Sequence, residues 1–112
     1  MKSLNIESRE LNQSLYVAKS INVSCSVLDG EAYILLEDKG EMLKLDNIGT
    51  FIWKKINGVV TLQEIVENCL EEYEADYETI KNSVFSFINS LYLEEIVQYS
   101  TNPFSGVMTD AD

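Results

Sequence analysis

The side chains able to do covalent chemistry here are few. Ser24, Cys25, Ser26 and Cys69 are potential nucleophiles, but the 112-residue chain contains no histidine to act as their base, and no glycine-rich elbow surrounds them. Without histidine or a Cys-x-x-Cys spacing, neither a zinc site nor a redox site is expected. Carboxylates abound, and seven of them fall between Glu64 and Glu78 without a basic residue among them. Their spacing follows helix surfaces, so a solvated acidic face explains them better than an acid/base pair. The glycines, five in all, show neither G-x-G nor Walker spacing, which removes the phosphate-cradling loops. No catalytic residue, metal or cofactor is therefore expected, and the useful chemistry must be recognition.

Charge narrows what can be recognised. With 19 acidic against 8 basic residues the net charge is −11. That disfavours nucleic acid, whose binding depends on Lys and Arg displacing counterions, and anionic membrane surfaces for the same reason. No apolar run approaches the ~20 residues of a membrane span. The N-terminal MKSLNIESRELNQS has no signal-peptide core, so a cytoplasmic protein is expected. A docking surface for a basic partner on the acidic run remains an alternative to simple solubilisation.

The elements that carry the recognition follow from periodicity. Residues 1–20 are polar and weakly patterned and are read as a partly flexible segment; 21–99 form the domain, and 100–112 a mobile tail. In INVSCSVL, Val23, Cys25 and Val27 alternate with Ser24 and Ser26, the period of a half-buried strand. Both cysteines are expected as buried, reduced thiols. Asp29-Gly30 turns the chain into a second strand, EAYILLE, and Asp38-Lys39-Gly40 into a short third, Glu41 to Leu45. The result is an antiparallel meander whose last strand should be an open edge.

At Asp46 the period becomes helical. Asp46 or Asn47 can cap a helix whose apolar positions are Ile48, Phe51, Ile52 and Ile56, ended by Asn57-Gly58. Trp53 is expected at the core or its edge. Gly49, which costs about 1 kcal/mol in a helix, implies close packing against its backbone, most simply by the sheet. Thr61 to Glu64 is a capping box opening a second helix. A third runs from near Tyr77 to Tyr92, and Ile96 to Tyr99 suits a final short strand. On the third helix Ile80, Val84, Phe87 and Leu91 form the core stripe. A second file, Lys81, Phe85, Ile88 and Tyr92, either thickens that contact or lines a groove for another chain.

These pieces, in this order, resemble the PqqD-like family of small peptide-binding proteins, also called RiPP recognition elements. The residues that carry the resemblance are D-G-E-A-Y-I-L from Asp29, Leu45 with Gly49, Ile52 and Trp53, and Gly58 with Thr61, Glu64, Ile65 and Val66. The match runs from about Val23 to Val97. It departs from the family at Asp46, where asparagine usually follows the leucine, and at Glu94-Glu95-Ile96, where a glycine-leucine pair usually closes the domain. The resemblance implies an α+β, winged-helix-like fold, a three-stranded antiparallel β-meander followed by three α-helices. It further implies binding of the leader segment of a ribosomally made precursor peptide, added as a strand in the cleft between the third strand and third helix, and its presentation to a modifying enzyme. That enzyme would be a lasso-peptide protease and cyclase, or a radical-SAM maturase. The expected peptide-binding residues are Glu41, Met42, Leu43, Lys44 and Leu45 on the strand, faced by Lys81, Phe85, Ile88 and Tyr92. A winged-helix DNA-binding regulator and a structural subunit of an enzyme complex are the competing functions; a homodimer through the exposed edge is left open.

Overall fold

The computed structural model describes residues 13–104; the expectations for residues 1–12 and 105–112 lie outside the described residues. The elements are β1 (Tyr16–Lys19), β2 (Val23–Leu28), β3 (Glu31–Leu36), β4 (Glu41–Lys44), α1 (Asn47–Lys55), α2 (Leu62–Glu72), α3 (Tyr77–Leu93) and β5 (Val97–Ser100). The expected meander is β2-β3-β4, antiparallel throughout, with Val23 opposite Leu36 and Leu36 opposite Glu41. Asp29 and Gly30 make the first turn with φ of 53° and 81°, the left-handed region in which Gly and Asp are least strained. The architecture is α+β, a three-stranded sheet with three helices, as expected from the sequence.

One strand precedes the domain boundary that periodicity drew at residue 21. β1 pairs with β5 in a separate two-stranded sheet, Val17 facing Tyr99 and Ala18 facing Gln98. Its other edge is tied to the loop between α1 and α2, where Gly58 and Leu62 donate to the carbonyls of Val17 and Leu15 at 2.8 and 2.9 Å. Val17 and Ala18 are buried, so β1 belongs to the core. Past β5, the Phe104 N–H donates to the Gly58 carbonyl at 2.9 Å.

The core gathers Ala32, Ile34 and Leu36 from β3 with Ile52 and Trp53 of α1 and Ile56 just past its end, Ile65 and Val66 of α2, and Val84, Ile88 and Leu91 of α3. Each helix begins where its cap requires. Asp46 accepts from Gly49 N–H at 2.8 Å, and Asp76 from Thr79 N–H at 3.3 Å. Thr61 and Glu64 form the reciprocal box, their side chains each accepting from the other's backbone at 3.2 and 2.9 Å. Trp53 is buried, with the Lys19 ammonium 4.5 Å from its ring centre, a cation–π contact; the burial lowers the Lys19 pKa.

Three expectations need correction. β2 is exposed on nearly its whole length and Cys25 with it, because the helical layer packs on β3 and leaves β2 overhanging as an edge; Cys69 alone is the buried thiol. Ile48 is 48% exposed, since its place in the first turn of α1 turns it to the rim of the helical layer. The group against Gly49 is the Phe87 ring of α3, not the sheet: a β-carbon at Gly49 would lie 3.3 Å from it.

Candidate functional site

β4 is the sheet edge nearest α3. Its hydrogen-bonding phase follows from one contact, the Leu45 N–H donating to the Ala32 carbonyl at 2.8 Å. Antiparallel pairing alternates bonded and non-bonded residues, so with the register Ile34↔Leu43 and Leu36↔Glu41, Leu43 and Glu41 also bond toward β3. Met42 and Lys44 then direct their N–H and C=O groups outward. These four groups are the free edge. The side chains divide the other way: Glu41 and Leu43 share the face of Ile34 and Leu36, whereas Met42, 65% exposed, and Lys44 share the outer face with Leu35 and Tyr33.

The junction from β4 to α1 is fixed by a buried bond. Ala32, which accepts from Leu45, gives its own N–H to the Thr50 hydroxyl at 2.8 Å, and Thr50 is 3% exposed. The hydroxyl of α1 thus takes the place of the next ladder acceptor and pins the helix to β3.

Beside β4 lies a cleft of about 280 Å³, walled by Leu36, Glu41, Met42 and Leu43 on the sheet and by Ser90 and Leu91 of α3 with Glu94 at its C-terminal cap. Lys39 in the turn before β4 reaches across to Glu94 at 3.4 Å. Lys44 pairs with Glu31 at 3.3 Å, and that carboxylate raises its pKa. Further along, Phe87 rests on Gly49, and beyond it Ser83 lines a second cavity with Ile48 and Ile52. Ser83, Phe87, Ser90 and Glu94 therefore form the α3 stripe that follows β4 and the start of α1.

The structure places the residues expected from the sequence as follows. Glu41, Met42 and Leu43 border the cleft and Lys44 completes the open edge, while Leu45 is buried. Lys81, Phe85, Ile88 and Tyr92 are not brought to that edge; they lie on the other flank of the core stripe, roughly 160° around the helix from Ser83–Glu94. Ile88 is wholly buried, Tyr92 stacks on Tyr99 of β5 with ring centres 4.7 Å apart, and Lys81 sits 5.7 Å from the Phe85 ring centre. Burial beside Tyr92 pushes the Tyr99 hydroxyl well above its usual range. Apolarity singled out the flank that braces β5. The signal for the cleft side was subtler: small serines at 83 and 90 on the turn-by-turn file of Phe87, opposite a helix glycine.

Among the described residues no group of His, Cys, Asp and Glu could hold a metal ion, and no helix is long and apolar enough to cross a membrane.

Fold and edge together define a small α+β domain with an open sheet edge beside its third helix. Residues 31–97 match the family model described as Coenzyme PQQ synthesis protein D (PqqD), and the chain belongs to that family. Among solved structures it is similar to one described as TbiB1 in complex with the TbiA(beta) leader peptide, with a TM-score of 0.68 and 26% identity over 72% of this chain and 94% of that one. It shares its fold with a lasso peptide synthetase B1 complexed with the leader peptide, TM-score 0.67 and 15% identity over 73% of this chain and 96% of that one. Among curated proteins none matches.

Proposed function

We propose that this protein binds the leader segment of a ribosomally synthesised precursor peptide by β-strand addition and presents it to a modifying enzyme, without catalysing a step itself. The observation that carries the reading is the open edge at Met42 and Lys44 beside the 280 Å³ cleft. An extended peptide running antiparallel to β4 would exchange main-chain hydrogen bonds with those two residues, and its alternate side chains would enter the cleft against Leu43, Ser90 and Leu91. Glu41 to Leu45 is thus the receiving strand, and Phe87, Ser90, Leu91 and Glu94 form the helical wall. Lys81, Phe85, Ile88 and Tyr92 hold α3 in place from its other side.

Membership of the PqqD family supports this reading, as do the two similar structures, both described as complexes with leader peptides. The name of the second, a lasso peptide synthetase B1, makes lasso-peptide biosynthesis the pathway of choice, with a protease and cyclase as the enzymes served; a radical-SAM maturase is the alternative client. Nothing in the comparisons favours a DNA-binding regulator, and a net charge of −11 opposes it.

The test is amide hydrogen exchange with and without a synthetic leader peptide of a lasso-peptide precursor. Binding should slow exchange at Met42 and Lys44, whose amides face outward, and leave Leu43, already bonded to β3, little changed. Protection elsewhere with none at these two amides would place the peptide on another surface.

A further inference from the structure

The three-stranded sheet has a second edge, β2, which among the described residues pairs with no strand on its outer side. Its bonding phase follows from the Glu37 N–H, which donates to the Asn22 carbonyl at 3.1 Å. In the register Ser24↔Leu35 and Ser26↔Tyr33, Ser24, Ser26 and Leu28 then bond toward β3. Val23, Cys25 and Val27 direct their N–H and C=O groups outward. Sheet edges are ordinarily blunted by shortness, charge or proline. β4 is four residues long and carries Glu41 and Lys44. β2 is six residues long, and no charged residue or proline stands between Lys19 and Asp29.

The side chains of Val23, Cys25 and Val27 project on the helix side of the sheet, level with Leu36, Ile34 and Ala32. The helices do not reach them all: Cys25 is exposed and Val27 is 45% exposed. Free backbone groups beside an uncovered, uncharged flank make a surface for another strand.

Charge decides whose strand that is. A basic partner would find no carboxylate on β2 to pair with. Copies of a chain of net charge −11 repel one another, so they can meet only where neither brings a carboxylate, and β2 meets that condition. The strand is also its own complement. Set antiparallel about a two-fold axis at Cys25, Val23 falls opposite Val27 of the second copy and Cys25 opposite its counterpart, so all three outward residues exchange both main-chain bonds at once. At the ends of the seam Asp29 faces the uncharged Ile21.

We infer that two copies of this chain associate through β2, joining their sheets β4-β3-β2 edge to edge into one continuous antiparallel sheet. The contact is isologous, the same strand serving on both sides. Both helical layers lie on one face, and valines 23 and 27 cover each other across the seam. The two β4 edges stay open at the far ends, so the dimer presents two receiving edges and pairing does not compete with peptide binding.

Sedimentation velocity of the full-length protein over a wide range of concentration should show a monomer–dimer equilibrium. Two double variants then test the register. Val23→Lys with Val27→Glu sets lysine opposite glutamate in both flanking pairs, whereas Val23→Lys with Val27→Lys sets lysine opposite lysine. With both folded by circular dichroism, the second should dimerise about 10-fold more weakly than the first, although it carries the smaller net charge. A short bismaleimide should join the Cys25 thiols, whose α-carbons lie about 5.5 Å apart in such a pair, in wild type and not in Cys25→Ser. Met42→Pro, at the opposite edge, should dimerise as wild type does. A monomer at every concentration overturns the inference, and so does a dimer that both double variants form equally well. A dimer lost on Met42→Pro and kept by the β2 variants overturns it too, by placing the contact on β4.

Discussion

Phe87 lies across Gly49: a β-carbon on that glycine would stand 3.3 Å from two carbons of the ring and 3.2 Å from the Asp46 carboxylate that caps α1. The glycine lets α3 approach the first turn of α1 closely enough for one aromatic ring to seal the junction between sheet edge and helices. Gly49→Ala should leave stability within about 1 kcal/mol of wild type, because the gain in helix propensity offsets the displacement of the ring. Gly49→Leu should cost about 1–3 kcal/mol, since a branched side chain cannot share the space. Urea unfolding of the two variants checks both; a Leu variant as stable as wild type would mean that Phe87 swings away freely and does not hold the wall of the cleft.

The phase of β4 makes neighbouring residues behave oppositely toward proline. Met42 and Lys44 present their amides to solvent, whereas Leu43 gives its amide to β3 and packs against the core. Met42→Pro and Lys44→Pro should remain folded, as edge positions tolerate a missing donor, yet lose peptide binding. Leu43→Pro should lose about 2–4 kcal/mol of stability through a broken ladder bond and impaired apolar packing. Circular dichroism melts paired with peptide titration by fluorescence anisotropy distinguish these results. Equal destabilisation by all three prolines would show that the inferred bonding phase is reversed or absent.

How far the sequence announced this arrangement depends on the residue. The Asp29-Gly30 and Asp38-Lys39-Gly40 turns around Glu31–Leu36 and the caps at Thr61/Glu64 and Asp46 are local signals, read directly, and they place the meander and the helices. β1 offers only Tyr16–Lys19, four residues whose burial comes from pairing with β5 some eighty positions later, and no local period reveals that. Cys25 and Ile48 were legible as apolar-patterned but not as exposed, because burial depends on whether a second layer happens to cover them. On α3 the apolar flank of Phe85 and Tyr92 attracted the reading of a groove wall. The side facing the cleft instead carries Ser83 and Ser90, whose meaning appears only once β4 and α1 are set beside them.

The bond from Ala32 N–H to the Thr50 hydroxyl ties the middle of the sheet to α1 in a buried setting. Thr50→Val keeps the shape and removes the acceptor, leaving a backbone donor without a partner; the expected loss is about 1–3 kcal/mol. Thr50→Ser retains the oxygen and should lose much less. Thermal melts of both variants decide the matter, and a valine variant equal to serine would mean that the amide finds another acceptor. Because the same bond orients the start of α1, the valine variant should also bind peptide more weakly at temperatures well below its melting point.

The two cysteines should separate cleanly in their reactivity. Cys25 is exposed on the overhanging strand, whereas Cys69 is buried beneath α1 and α3, and burial raises its pKa above the usual 9.0. At neutral pH a disulfide reagent should therefore titrate one thiol rapidly and the second only at the rate of opening or unfolding. The pH dependence follows in sign. A thiol whose folded pKa exceeds its unfolded value holds its proton in the native state after the unfolded chain has released it, so its contribution to stability is full below about pH 9 and declines as pH rises above that. Replacing Cys69 by alanine should remove its share of the alkaline decline while costing stability at neutral pH, because the shortened side chain leaves space in the core. Urea midpoints measured between pH 7 and 9.5 for wild type, Cys25→Ser and Cys69→Ala test the assignment: the decline should become shallower only in the last, and a decline that is reduced by Cys25→Ser instead would overturn it.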